Sequence, residues 1–174
     1  GRQPQSREFG DRYKCARGPL RGHQDLKCCY CEKFAEAKYS TVEHVRPKAE
    51  ARRSHGRVER GYWWLAWTWE NLLFCCQHCN GHKDTWYPLR GDDQLPHRGR
   101  PLPDRCTPPG HEKPILLDPT IDDGIAHIQF RLVAGRWMPQ AREGSIRGYE
   151  TIRIIQLDRS DLLELYDDVA TDLQ

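Results

Sequence analysis

Two cysteine pairs carry the most specific chemistry in this 174-residue chain: Cys28-x-x-Cys31 and Cys76-x-x-Cys79. A Cys-x-x-Cys turn lets two thiolates grip one ion, and two such turns complete the tetrahedral shell of a structural zinc site. Disulfide frameworks scatter their cysteines, so this clustering predicts metal binding instead. Cys75-x-x-His78 also has ligand spacing, but the Cys76/Cys79 register repeats the form of the first pair and is preferred. Cys29 and Cys75 are then thiols without a ligand role, and Cys15 and Cys106 have no assigned role. A four-thiolate site is closed to substrate, so any catalysis must come from other side chains. Between and just after the pairs lie Glu43-His44, Asn71-Leu72, Asn80 and Lys83. Each alone has an ordinary reading: a solvated strand carboxylate, a core histidine, a turn cap, a helix N-cap. Their joint placement relative to both cysteine pairs is what asks for another.

In that register, Glu43-His44, Asn71-Leu72 and Cys76-x-x-Cys79-Asn80-x-x-Lys83 resemble the HNH, or ββα-metal, nuclease motif in its zinc-stapled form. The resemblance covers residues 28–86. It implies a strand bearing an acid and a histidine, a loop bearing an asparagine, and a helix after the second cysteine pair bearing the third motif residue. That third position is commonly His and here is Asn80; the usual Asp before the histidine is Glu43. A second resemblance rests on Val42-Glu43-His44-Val45-Arg46-Pro47-Lys48, Trp69-Glu70-Asn71-Leu72 and Leu117-Asp118-Pro119, Asp122-Asp123 and His127. These are similar to HNH proteins of bacterial antiphage systems, the Septu and retron-associated nuclease subunits that work beside an ATPase.

The roles implied follow the needs of phosphodiester hydrolysis: an activated water, charge relief on the phosphate and a stabilised leaving oxygen. His44 is the expected general base, since a neutral imidazole titrates near working pH. Asn71 is expected to orient that ring through its carbonyl. Glu43 and Asn80 are hard oxygen ligands suited to Mg²⁺ or Mn²⁺. Lys83, Arg46 and Lys48 are candidate phosphate clamps, and Arg52 and Arg53 candidate nucleic-acid contacts. From Arg46 to Arg60 six basic residues face two acids, a stripe able to neutralise backbone phosphates. DNA is the favoured substrate, an ATPase subunit the implied partner. RNA cleavage and a non-catalytic zinc-ribbon module are the alternatives, because contacts to a backbone phosphate do not read a 2′-hydroxyl.

The elements that must position these residues set an α+β expectation: a ββα core stapled by zinc, then a C-terminal β-hairpin and helices. Length allows one domain, and a hydrophobic fraction of 37% against 30% charged residues implies a modest core that benefits from a staple. The net charge of +2 excludes nothing about partners. No run approaches the roughly 18 apolar residues of a membrane span, and no charged-then-apolar leader opens the chain, so a bacterial cytoplasmic protein without membrane contact is expected. Residues 1–25 read as an N-terminal extension and 26–87 as the core, with a hairpin from Leu26 to Val45. Residues 88–114, holding seven of the twelve prolines, read as a loop. Residues 115–174 read as strands at Ile115–Leu117 and Ile125–Val133, a turn at Ala134-Gly135, and helices over Glu143–Leu157 and from Ser160. That C-terminal part is expected to serve packing or partner docking. The run from Tyr62 to Trp69 reads mainly as core aromatics.

Overall fold

A computed structural model describes residues 8, 10–91 and 112–172; Cys106 and most of the proline-rich loop fall outside them. The chain is α+β and divides into two compact units, residues 1–114 and 115–174. No helix among the described residues is long and apolar enough to cross a membrane.

In the first unit a 3-10 turn (Arg12–Ala16) runs into α1 (Arg17–His23), followed by β1 (Ser40–His44), β2 (Glu50–Arg52), β3 (Val58–Arg60), β4 (Leu72–Cys76) and α2 (Gln77–Lys83). β1 pairs antiparallel with β4, setting Glu43 opposite Leu73 and His44 opposite Leu72; β2 and β3 form a second short ribbon. The expected hairpin from Leu26 to Val45 is therefore half right. Its second arm is β1, but the first arm is a turn carrying Cys28–Cys31, joined across Lys27 and Phe34 by a single bridge. The partner of β1 comes from residues 72–76, whose run Leu-Leu-Phe-Cys is buried at every position.

That run is apolar throughout because the β1–β4 ribbon is covered on both faces. Leu20 of α1, Ala35, Val42, Leu72 and Phe74 pack together on one side. Val45, Leu73, Ala51, Tyr62, Leu65, Tyr87 and Leu89 pack on the other. Residues expected as an N-terminal extension are thus part of the core. Gln24 completes the attachment: its amide donates to the Phe74 carbonyl at 2.8 Å and accepts from the Phe74 amide at 2.7 Å. These groups lie on the edge of β4 that β1 does not pair, and the Cys29 amide, donating to the same Phe74 carbonyl at 3.1 Å, shares with Gln24 the covering of that edge. Of the aromatic run, Tyr62 is fully buried, while Trp67 and Trp69 stay about half exposed.

The second unit pairs β5 (Ile128–Val133) with β6 (Arg136–Ala141) through Ala134-Gly135, and packs α3 (Ile146–Ile155) and α4 (Ser160–Asp172) against β6. Ser145 caps α3, its hydroxyl accepting from the Gly148 amide at 3.0 Å. Ile152 and Ile155 of the expected helical stripe are buried, whereas Ile146 and Tyr149 face outward. Leu116 and Leu117 are buried but lie in an irregular segment, not the expected strand.

Replacing Gln24 by Ala should strip both of its bonds to Phe74 and cost about 1–3 kcal/mol. Urea unfolding should show a lower midpoint with an unchanged slope, the sign of lost stability without a changed folded state.

Candidate functional site

Two turns bring four thiols to one point. The Cys28–Cys31 turn precedes β1, while Cys76 ends β4 and Cys79 lies in the first turn of α2. The sulfurs of Cys28, Cys31, Cys76 and Cys79 all lie within 4.8 Å of one another. Tetrahedral zinc with bonds of about 2.3 Å sets sulfurs about 3.8 Å apart, so the donor set fits that ion after small closure. The Cys79 amide points at Cys76 Sγ, 3.4 Å away, as a turn that stabilises a thiolate must. The charges also ask for a cation. Neighbouring thiols, Cys29 first, donate to Cys28 and drive its proton off, while Cys79 is pushed up by Cys28, Cys31 and Cys76. Without an ion, four crowded sulfurs cannot all ionise. Cys75 and Cys29 cluster with Cys28 as well, Cys75 Sγ at 3.7 Å from Cys28 Sγ.

The strand between the turns separates the two motif residues it carries. Side chains alternate along β1, so Glu43 and His44 leave it on opposite faces. Glu43 is buried and faces Lys83 of α2, whose Nζ lies 2.5 Å from Oε1 and donates to the His44 carbonyl at 2.9 Å. Lys83 is fully buried, so the expected phosphate clamp is instead an internal tie between α2 and β1. Burial raises the Glu43 pKa and the Lys83 charge opposes that rise. Asn80, half-buried on α2, has no side-chain hydrogen bond among the described residues. Of the two oxygen ligands expected for a catalytic ion, then, one amide is open and one carboxylate is already held by an ammonium.

His44 sits on the α1 side, buried, with Nε2 2.9 Å from the Ala66 carbonyl. A carbonyl only accepts, so Nε2 carries the proton and Nδ1 holds the lone pair. Burial pushes the ring pKa down to about 3, with the Lys48 charge adding to it, so the imidazole is neutral at neutral pH. The ring of Tyr13 stands edge-on to the imidazole with centroids 4.7 Å apart.

Asn71 does not touch the ring. Its Oδ1 accepts from the Arg46 amide at 2.7 Å, and its Nδ2 donates to the carbonyls of Arg46 at 3.0 Å and Leu65 at 3.1 Å. It therefore joins the end of β1 to the turn that presents the Ala66 carbonyl, and fixes His44 through the backbone. The orienting role expected of its own carbonyl group falls to Ala66.

Part of the basic stripe is turned to internal partners as well, while Arg57 and Arg60 stay exposed. Arg53 is buried, donating to the Tyr87 carbonyl at 2.6 Å and Tyr62 Oη at 3.3 Å and pairing with Glu59 at 3.1 Å, which corrects its expected nucleic-acid role. Arg46 pairs with Glu112 at 3.3 Å with its side chain largely covered, and Arg52 lies over the Trp86 ring at 5.1 Å. Of the expected clamps, Lys83 holds the His44 carbonyl from within the core, and Lys48 lies against Tyr13, whose ring meets the His44 imidazole. Tyr13 and the Ala66 carbonyl were missed in the sequence: neither belongs to a motif, and no spacing pattern marks a backbone oxygen.

In the second unit, Asp118 accepts from Thr120, Asp122 is ion-paired with Arg147, and His127 Nδ1 meets Ser145 Oγ at 2.8 Å. These motif residues serve to tie turns to α3.

The chain is 33% identical over 155 residues to the Septu protein PtuB of Bacillus mycoides (strain KBAB4), a stretch covering 85% of this chain and 48% of that protein. The chain thus spans about half the length of the curated relative it matches. No protein-family model matches it, and no solved structure does.

Two outcomes are expected here. Zinc should co-purify at about one equivalent, with Cys31→Ser or Cys79→Ser losing both metal and the cooperative thermal transition while Cys75→Ala keeps both; plasma emission analysis and melting curves decide this. For His44, the folded pKa of about 3 lies below its ordinary 6.5. The unfolded chain therefore gains a proton that the folded chain refuses, and stability falls as pH drops from 6.5 toward 3. Between pH 7.5 and 5 the wild type should lose about 2 kcal/mol more than His44→Asn, a comparison in which the shared zinc thiolates cancel.

Proposed function

We propose that this chain is a metal-dependent HNH endonuclease that hydrolyses phosphodiester bonds in DNA, as the nuclease subunit of an antiphage defence complex with an ATPase partner. The observation that carries the reading is the environment of His44: a neutral ring with Nε2–H fixed on the Ala66 carbonyl and Nδ1 left as a base, beside an ammonium. The likeness to the Septu protein PtuB supports the defence setting.

On this reading His44 Nδ1 takes a proton from water as the water attacks phosphorus. Its basicity is low in the unliganded site because burial and Lys48 both disfavour the imidazolium. A bound phosphate reverses the second of these effects, since an anion near the ring favours its charged form. Substrate would thus offset the Lys48 part of the depression and leave the larger part, burial, in place. Asn71 keeps the ring's hydrogen-bond partner in place by bridging Arg46 and Leu65. Mg²⁺ or Mn²⁺, when bound, supplies charge relief on the phosphate and leaving oxygen. Asn80 offers an open amide that would hold it, whereas Glu43, on the opposite face of β1 from the His44 ring and already paired with Lys83, is not placed to share it. The second unit, whose β5 leaves Phe130 and Leu132 exposed, is the docking element in this scheme.

His44→Ala should lower DNA cleavage by about 10²–10⁴-fold while leaving zinc content unchanged. Products should carry a 5′-phosphate and a 3′-hydroxyl. Plasmid nicking with Mg²⁺ or Mn²⁺, with and without the ATPase partner, reads this out; full cleavage by His44→Ala would sink the mechanism. Cleavage of RNA with DNA left intact would replace the substrate.

A further inference from the structure

We infer that the Tyr13 hydroxyl and the Lys48 ammonium form a phosphate-binding subsite beside His44, which makes Tyr13 a substrate-binding residue. The inference takes its substrate, a nucleic-acid backbone, from the nuclease reading above, but the subsite itself rests on other residues. Tyr13 places its ring edge against the imidazole, and its hydroxyl lies 3.4 Å from Lys48 Nζ. The same ammonium lies 4.7 Å from the centroid of the Tyr13 ring. The ammonium gives one N–H to the hydroxyl, so the phenol O–H and the two remaining ammonium N–H groups converge next to the proposed base. A phosphate diester offers only acceptors, and suits them.

The charge pattern points the same way. Arg46 is matched by Glu112, and Arg53 and Arg57 by Glu59. Lys48 has no carboxylate within ion-pairing distance among the described residues; it meets the Tyr13 phenol, and the buried Glu43 carboxylate that its charge also reaches is already paired with Lys83. An unbalanced cation set against a neutral base is a place for an anion to sit.

The subsite is also held ready. The carbonyls on either side of Lys48 are pinned: Pro47 accepts from the Tyr62 amide at 2.8 Å and Ala49 from the Gly61 amide at 3.1 Å. A Cβ on Gly61 would lie 2.6 Å from the Pro47 oxygen and the Ala49 carbon, so only glycine permits this close approach. Tyr13 is carried by a 3-10 turn that continues into α1, anchored in the core by Leu20. Both donors come from backbone whose position is set before substrate arrives.

The test uses the full zinc-loaded chain and a short fluorescent DNA duplex, with anisotropy measured across a salt series and no added Mg²⁺ or Mn²⁺. Tyr13→Phe keeps the ring that packs on His44 and removes only the hydroxyl, so zinc content and melting should be unchanged. It should weaken duplex binding about tenfold, the effect of one hydrogen bond to a charged group. The salt slope should stay as in wild type. Lys48→Met should weaken binding too and reduce the slope by about one. The double variant should lose less than the product of the single losses, because the two donors share one phosphate. Wild-type binding by Tyr13→Phe would overturn the subsite and leave Tyr13 as packing, as would failure of the wild type to bind the duplex. Weaker binding by Tyr13→Phe, with no cleavage by wild type under either metal even with the ATPase partner present, would leave the subsite standing and remove the nuclease reading. Normal cleavage that depends on His44, with Tyr13→Phe indistinguishable from wild type, would do the reverse.

Discussion

Four thiols closing on one point govern the first unit, because they cross-link the turn before β1 to the junction of β4 and α2. Cys28 and Cys31 precede β1, while Cys76 and Cys79 straddle the junction of β4 and α2. Fixing that junction fixes the antiparallel pairing of β1 with β4, since the ribbon then starts at a defined register of Ser40 opposite Cys76. It also aims α2, so that Lys83, one turn beyond Cys79, arrives over Glu43. Each ribbon is short, five residues at most in this unit, and short ribbons are marginal without a cross-link or a covering layer. This ribbon has both.

Strand alternation then divides the labour. An acid and a histidine in sequence invite a picture of one shared centre, yet β1 turns them to opposite faces. Glu43 joins Lys83 in a buried ion pair whose ammonium also holds the His44 carbonyl. Breaking such a pair strands a charge in the interior and is costly, which makes Lys83 and Glu43 a structural unit first. His44 is left free of that pair. Its ring is set by a backbone carbonyl and by Asn71 acting at one remove, and its chemistry is tuned by Lys48 and burial.

How much of this was readable beforehand follows from what kind of signal each residue gives. The α+β class, β1 and the C-terminal hairpin and helices were legible because hydrophobic period and turn residues are local. The cysteine cluster was legible because ligand spacing is chemical. The partner of β1 was not: pairing with residues 72–76 depends on how the intervening chain folds back, and the apolar stretch at Cys28–Tyr30 was a nearer candidate. Lysines and arginines misled for a related reason. Their default place is solvent, so Lys83 and Arg53 read as phosphate ligands until Glu43, Glu59 and the Tyr87 carbonyl were seen to enclose them. Tyr13 gave no signal, because an aromatic residue in a polar N-terminal stretch has no period to betray its contact.

Internal pairing of part of the basic stripe narrows rather than weakens the electrostatic argument. Six basic residues between Arg46 and Arg60 suggested a broad field for nucleic acid. With Arg46 paired to Glu112 and with Arg53 and Arg57 sharing Glu59, a smaller field remains, carried by Lys48, Arg52 and the exposed Arg60. What remains near His44 is a single ammonium at a position that the backbone enforces through Gly61. A diffuse patch would raise affinity without choosing a phosphate. One fixed cation next to one neutral base selects the phosphate at which the chemistry can occur, and leaves the remaining grip on a long polymer to surfaces outside this loop or to a partner.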